Sequence, residues 1–197
     1  MTGAVVVNAL ALGGVLALLL RLRGALTLVP VLLVALWELL PLVWTPSAVL
    51  VAAGGTGSFS STAALLSAMA LAPRAGVGTW IAPPECRALA LAVVVSGTAL
   101  LAARLGLPGL EGLYGTGFGD FRLSTLLLLA GLAAWVLRAW SLCVLLAAGQ
   151  LAFGFELLPA GNLWDYLLDP FLWVWALGYS MISTSWAWSP RSVVRTR

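Results

Sequence analysis

Glu38 is the one acidic residue well inside an apolar stretch, so it is the first candidate for chemistry in this chain. It lies six residues before Trp44, near the end of an apolar run. An ionisable side chain in a membrane-spanning segment is costly and marks a functional site by default. The position predicts a proton or cation site, or a carboxyl that burial keeps neutral. The alternative is that Glu38 reaches the membrane interface or pairs with Arg104 or Arg122.

A second candidate site comprises the acidic residues Glu156, Asp165 and Asp169. Asn162 and Asp165 have the spacing of a capping box, in which an N-cap side chain and the third helical residue bond each other's backbone. Asp169 precedes Pro170, and proline is favoured at the first position of a helix. We expect a short interfacial helix over residues 162–168 and a spanning helix from 170 to about 188. The acids would then form an outer cation or partner site, or they would simply cap helices.

Gly54, Gly55 and Gly57 lie in the middle of another apolar stretch. Small residues allow two helices to approach closely. Local unwinding at the same place would expose backbone carbonyls to a substrate, as in transporters with broken helices. The segment is therefore a candidate for helix packing or for a broken helix.

Several chemistries are not expected. The chain has no His, so we expect no His-ligated haem, chlorophyll or metal and no Ser–His or Cys–His nucleophile pair. We assign no catalytic residue and no metal ligand, and the sequence leaves any other cofactor open. Cys86 and Cys143 are expected to behave as small apolar side chains. Nucleic-acid binding lacks a soluble basic domain to support it.

The elements that must position these residues are membrane-spanning helices. Hydrophobic residues make up 62% of the 197 residues and charged residues 9%, and the mean hydropathy is +1.06. A soluble domain carries about 25% charged residues. A chain crossing hydrocarbon must satisfy its own backbone hydrogen bonds as helices or as a closed barrel. Long runs that are apolar on every face favour helices, so we predict an all-α, polytopic bundle forming one integral membrane domain with no soluble domain.

The hydropathy pattern predicts seven spanning helices with short loops. A span needs about 20 apolar residues, with roughly 17 as the lower limit. The predicted spans are residues 3–20, 25–44, 47–72, 88–105, 123–137, 139–155 and 170–188.

The arginines predict how the chain threads the membrane. Excess Arg marks the cytoplasmic side. With the N-terminus outside and the C-terminus in the cytoplasm, eight of the ten Arg fall inside and two, Arg104 and Arg122, fall outside. The spans on either side of Arg138 are short, so six spans, with residues 123–155 as one helix, remain the alternative.

Two functional classes survive. Short loops leave no room for a catalytic domain, so we expect a non-catalytic accessory subunit of a larger membrane complex, with lipids and other membrane subunits as partners. The alternative is a small carrier or channel for an ion or small solute, using Glu38 and the Gly-rich segment. An enzyme is not expected. Abundant Ala, Gly, Leu and Arg without Lys is typical of GC-rich bacterial genomes, which indicates a bacterial inner membrane.

Overall fold

The computed structural model describes residues 2–40, 58–119 and 121–187, and side chains from 3 to 183 within those ranges. These ranges are all-helical and contain no strand, which confirms the predicted class. The helices are α1 (Thr2–Asn8), joined by a π-helical turn (Ala9–Gly13) to α2 (Gly14–Leu19); α3 (Leu28–Leu39), preceded by a 3-10 turn (Gly24–Thr27); α4 (Ser61–Leu71); α5 (Pro83–Arg104); α6 (Phe121–Val136), preceded by a 3-10 turn (Tyr114–Gly117); α7 (Trp140–Gly154); α8 (Leu163–Leu167); and α9 (Pro170–Ala187).

Three predicted helices differ from those in the structure. Helix α3 ends at Leu39, because the extended residue Leu40 precedes Pro41, which disfavours helix before it. The predicted helix over 47–72 is interrupted at residues 58–60, and α4 begins at Ser61, where the Ser60 side chain caps it. Its predicted start at residue 47 lies outside the described residues. Helix α5 begins at Pro83, since proline suits the first turn. Gly54, Gly55 and Gly57 lie outside the described residues, as does Asp120.

The six-span alternative is also wrong about residues 123–155. Helices α6 and α7 are separate and pack along each other. Arg138 turns the chain between them in the left-handed conformation, with φ at 58°. The amide of Ala139 donates to the carbonyl of Ala134, which closes the end of α6. Arg21 and Glu156 end α2 and α7 in the same conformation, where glycine is the usual residue.

The segments that connect consecutive helices are called joints here. The joints rich in Arg meet at one end of the bundle, which we call the basic end. The guanidinium of Arg74 donates to the carbonyl of Leu18 (2.7 Å), and the amide of Gly24 donates to the carbonyl of Arg74 (2.8 Å). The hydroxyl of Ser141 donates to the carbonyl of Trp80. These bonds hold together the joints after α2, α4 and α6.

The opposite end, which we call the acidic end, gathers the joints after α5 and α7. The amide of Asn162 donates to the carbonyl of Tyr114 across 2.9 Å. Gly117 lies so close to the Asn162 side chain that a Cβ would overlap it. These contacts hold the joints after α5 and α7 together at this end.

One described helix, α5, has both the length and the apolar composition to cross a membrane by itself. Five shorter apolar helical stretches, each of 10–17 residues, accompany it: Gly3–Leu19, Gly24–Leu39, Ser61–Leu71, Phe121–Val136 and Trp140–Gly154.

Candidate functional site: a polar seam and an apolar groove

Asn8 connects the predicted site residue Glu38 to the chain before α4. Its side-chain amide donates to Oε1 of Glu38 (2.7 Å), and its Oδ1 accepts from the amide of Phe59 (2.9 Å). Asn8 has 0% exposure, so these bonds satisfy an amide that would be costly to bury alone. The π-helical turn starts at the next residue, and such turns are frequent at functional sites. The sequence prediction missed Asn8, although it is the one Asn in the first apolar segment.

Asp169 connects Ser60, the residue after Phe59, to α9. Its Oδ1 accepts from the amide of Leu172 (2.8 Å), which caps α9. Its Oδ2 accepts from the amide (3.0 Å) and hydroxyl (2.6 Å) of Ser60. The Ser60 Oγ in turn accepts from the amide of Ala63 and caps α4. One carboxylate therefore stabilises two helix N-termini, where negative charge is favoured.

Together these residues form a continuous chain of contacts that we call the polar seam. It runs across α1, α3, the residues before α4 and the start of α9. Its members are Glu38, Asn8, Phe59, Ser60 and Asp169.

Asp165 faces a different partner from Asp169. The hydroxyl of Tyr114 donates to both of its carboxylate oxygens, at 3.1 and 3.0 Å. The backbone is extended at Leu168, which ends α8 and separates the two acids. The predicted division into a short helix that ends by residue 168 and a second helix from residue 170 is therefore confirmed. Asn162 caps α8 through the amide of Trp164, so the N-cap half of the predicted capping box is confirmed, whereas Asp165 bonds Tyr114 instead of reaching back.

Burial shifts the titration of the Tyr114–Asp165 pair. Desolvation, the nearby Asp165 charge and the bond to it raise the pKa of Tyr114 from 10.0 to about 12. Desolvation also raises the pKa of Asp165 above its usual range, opposed by the bond from Tyr114. The third predicted acid, Glu156, lies at the left-handed end of α7.

Glu85 has a role that the sequence analysis missed. Its Oε2 accepts from the amide of Ser141 (2.9 Å), which fastens the start of α5 to the start of α7. Pro83-Pro84 followed by an acid is the signal that could have placed this residue in a first helical turn. Glu85, Asp165 and Asp169 thus all bind backbone or loop groups.

A laterally open groove lies between α5 and α6. Helix α5 packs mainly on α9 and α6 on α7, so the two helices stand apart. The groove encloses about 460 Å³. Its walls are formed by Ala88, Ala92 and Ser96 of α5 and by Ala130 and Ala134 of α6, and Leu145 and Leu167 contribute to its floor.

The side-chain donors that line the groove are already engaged within the protein. Ser96 donates to the carbonyl of Ala92 (2.6 Å) and Thr62 to that of Tyr166 (3.5 Å). The indole of Trp164 donates to the carbonyl of Leu113 (3.1 Å). The three polar residues of the lining therefore turn their donors to the protein, and the remaining lining residues are apolar. The groove could not be predicted from the sequence, because a groove depends on which helices are not in contact.

The described residues contain no group of three or more His, Cys, Asp or Glu side chains placed to hold a metal ion. Comparison with protein-family models, curated proteins and solved structures found no match to the chain.

Proposed function

We propose that the chain is an integral protein of the bacterial inner membrane and a non-catalytic, accessory subunit of a larger membrane complex. One observation carries the proposal. Three described carboxylates, those of Glu85, Asp165 and Asp169, bind helix ends and loops. The groove, in contrast, is apolar. Such an interior suits a scaffold that packs against apolar partners.

The proposed membrane arrangement has seven spans, with the N-terminus outside and the C-terminus in the cytoplasm. The grouping of basic and acidic joints at opposite ends supports it. Helices α6 and α7, of 16 and 15 residues, extend about 24 and 22 Å at 1.5 Å per residue. Because the hydrocarbon core is about 30 Å thick, these helices require a locally thinner bilayer.

Purification in a mild detergent tests the subunit role. Membranes are solubilised, and the tagged chain is separated by size and analysed by mass spectrometry. We expect it to co-migrate with the same membrane proteins in fixed stoichiometry. Recovery as a lone, stable monomer or homodimer would contradict the proposal.

The polar seam favours a second candidate function, a carrier for an ion or small solute. The Asn8–Glu38 bond beside a π-helical turn supplies a carboxyl within the bundle. Residues 58–60 are non-helical, and irregular backbone at membrane depth occurs where it is buried in protein or lines a cavity. Glu38→Gln separates the two functions, because it should abolish flux in a carrier and leave the assembly of a subunit intact.

A further inference from the structure

We propose that the groove between α5 and α6 binds one acyl chain of an anionic membrane phospholipid. The inference rests on the membrane location given in the proposed function. A lipid-binding groove is a separate property, because an accessory subunit does not need to bind a particular lipid.

The chemistry of the lining selects an apolar occupant. In hydrocarbon an unfilled groove would leave its walls without packing partners. The small residues Ala92 and Ala130 on opposite walls leave the space open. No side-chain donor of the lining is available to a polar solute, because Ser96, Thr62 and Trp164 donate to backbone carbonyls.

The length of the groove suits an acyl chain. The lining on α6 extends from Leu123 to Ala134, which is about 16 Å at 1.5 Å per residue. One leaflet of the hydrocarbon core is about 15 Å deep. An acyl chain entering from one leaflet would therefore match the length of the groove.

Charge at the basic end favours an anionic headgroup. Arg138 is exposed and follows the wall residue Ala134 by four positions, and Arg87 is exposed and precedes the wall residue Ala88. Arg87 also lies near the Tyr179 hydroxyl. Glu85, the one acid described at this end, points to the start of α7 and accepts from the amide of Ser141, so two exposed guanidinium groups stand against one carboxylate. Guanidinium groups at this level attract lipid phosphates.

The test is native mass spectrometry of the full chain released from micelles with added phosphatidylglycerol or phosphatidylethanolamine. We expect one phosphatidylglycerol to remain bound. Ala130→Trp fills the groove and should abolish the adduct. Leu128→Trp is the matched control, because Leu128 is on the same helix, 65% exposed and outside the lining. Ala92→Leu narrows the groove from the opposite wall with a smaller side chain and should also weaken the adduct, which keeps the test valid if Ala130→Trp does not fold.

A second pair of variants tests the headgroup contact. Arg138→Asn removes the charge while suiting the left-handed backbone, and it should weaken phosphatidylglycerol retention about fivefold, the effect of one arginine near a membrane surface. Arg138→Lys should retain it. Equal retention of the two lipids, or a persistent adduct when the groove is filled, would overturn the inference.

Failure of the inference can be separated from failure of the proposed function. A photo-crosslinker at position 130 that captures a protein would overturn lipid binding and support a subunit interface. A chain that carries the lipid yet purifies without partners would overturn the subunit role alone. Recovery of the chain in the soluble fraction would overturn both.

Discussion

The polar seam and the apolar groove differ in whether their side chains have partners within the chain. In the seam, Asn8 and Asp169 bond groups from three other parts of the chain: α3, the residues just before α4, and α9. In the groove, apolar walls face open space, and the few polar side chains bond backbone carbonyls. A satisfied polar contact fixes helices relative to one another, whereas an unfilled apolar surface leaves a packing partner to be supplied. We therefore assign fold stability to the seam and binding to the groove.

The largest expected effect comes from Asp169, the carboxylate with most partners in the seam. Asp169→Ala removes the cap of α9 and leaves the amide and hydroxyl of Ser60 without their acceptor. We expect a loss of about 3 kcal/mol in the free energy of unfolding, since a cap contributes about 1 kcal/mol and a bond to a charged group somewhat more. Chemical denaturation in micelles, followed by circular dichroism, measures it.

Asp165→Ala is the matched control for Asp169. The bonds of Asp165 to Tyr114 are exposed, so its removal should cost about 1 kcal/mol or less. Equal losses for the two variants would break the distinction between the seam and the peripheral acids.

The second-largest loss of stability is expected for Asn8, and a substitution of its partner Glu38 serves as the comparison. Asn8→Ala leaves the half-buried amide of Phe59 without its acceptor and removes the donor to Glu38. This should cost about 2 kcal/mol. Glu38→Gln keeps an oxygen that can accept from Asn8, so the free energy of unfolding should change by less than about 0.5 kcal/mol. The same denaturation assay measures both. A large loss in Glu38→Gln would show that the charge itself stabilises the fold.

The third effect concerns Tyr166, which has 0% exposure and whose carbonyl accepts from the hydroxyl of Ser61, next to Ser60 of the seam. Its hydroxyl donates to the carbonyl of Leu158 (2.9 Å) and accepts from the amide of Leu158 (3.1 Å). Tyr166→Phe should cost about 1–2 kcal/mol because both backbone groups lose their partner. Hydrogen exchange at the Leu158 amide gives an independent measurement and should quicken in the variant. Unchanged exchange would mean that water replaces the phenol.

The sequence predicted those elements whose signals are local. Asn162 and Pro170 mark helix starts through their own backbone preferences, and both starts are confirmed. The turn at Arg138 was predicted from a charge between two apolar runs, and it is confirmed. The partners of Asp169 and Asn8 could not be predicted, because the bonds join residues 109 and 51 positions apart. The groove could not be predicted either, since hydropathy does not distinguish walls facing each other from walls facing lipid.

The smallest effect is a pH dependence at the acidic end that sharpens the contrast between the seam and the exposed acids. The folded pKa of Tyr114 is about 12 against 10.0 for the ordinary phenol. A raised folded pKa contributes stability that is present below pH 10 and is lost as the pH rises towards 12, because the unfolded chain releases its proton first. Thermal unfolding at stepped alkaline pH should show this loss in the wild type and less of it in Tyr114→Phe. In Asp165→Asn the phenol remains but its charged neighbour is gone, so the loss should span a narrower pH range. An identical alkaline profile in all three proteins would mean that this pair contributes nothing to the fold.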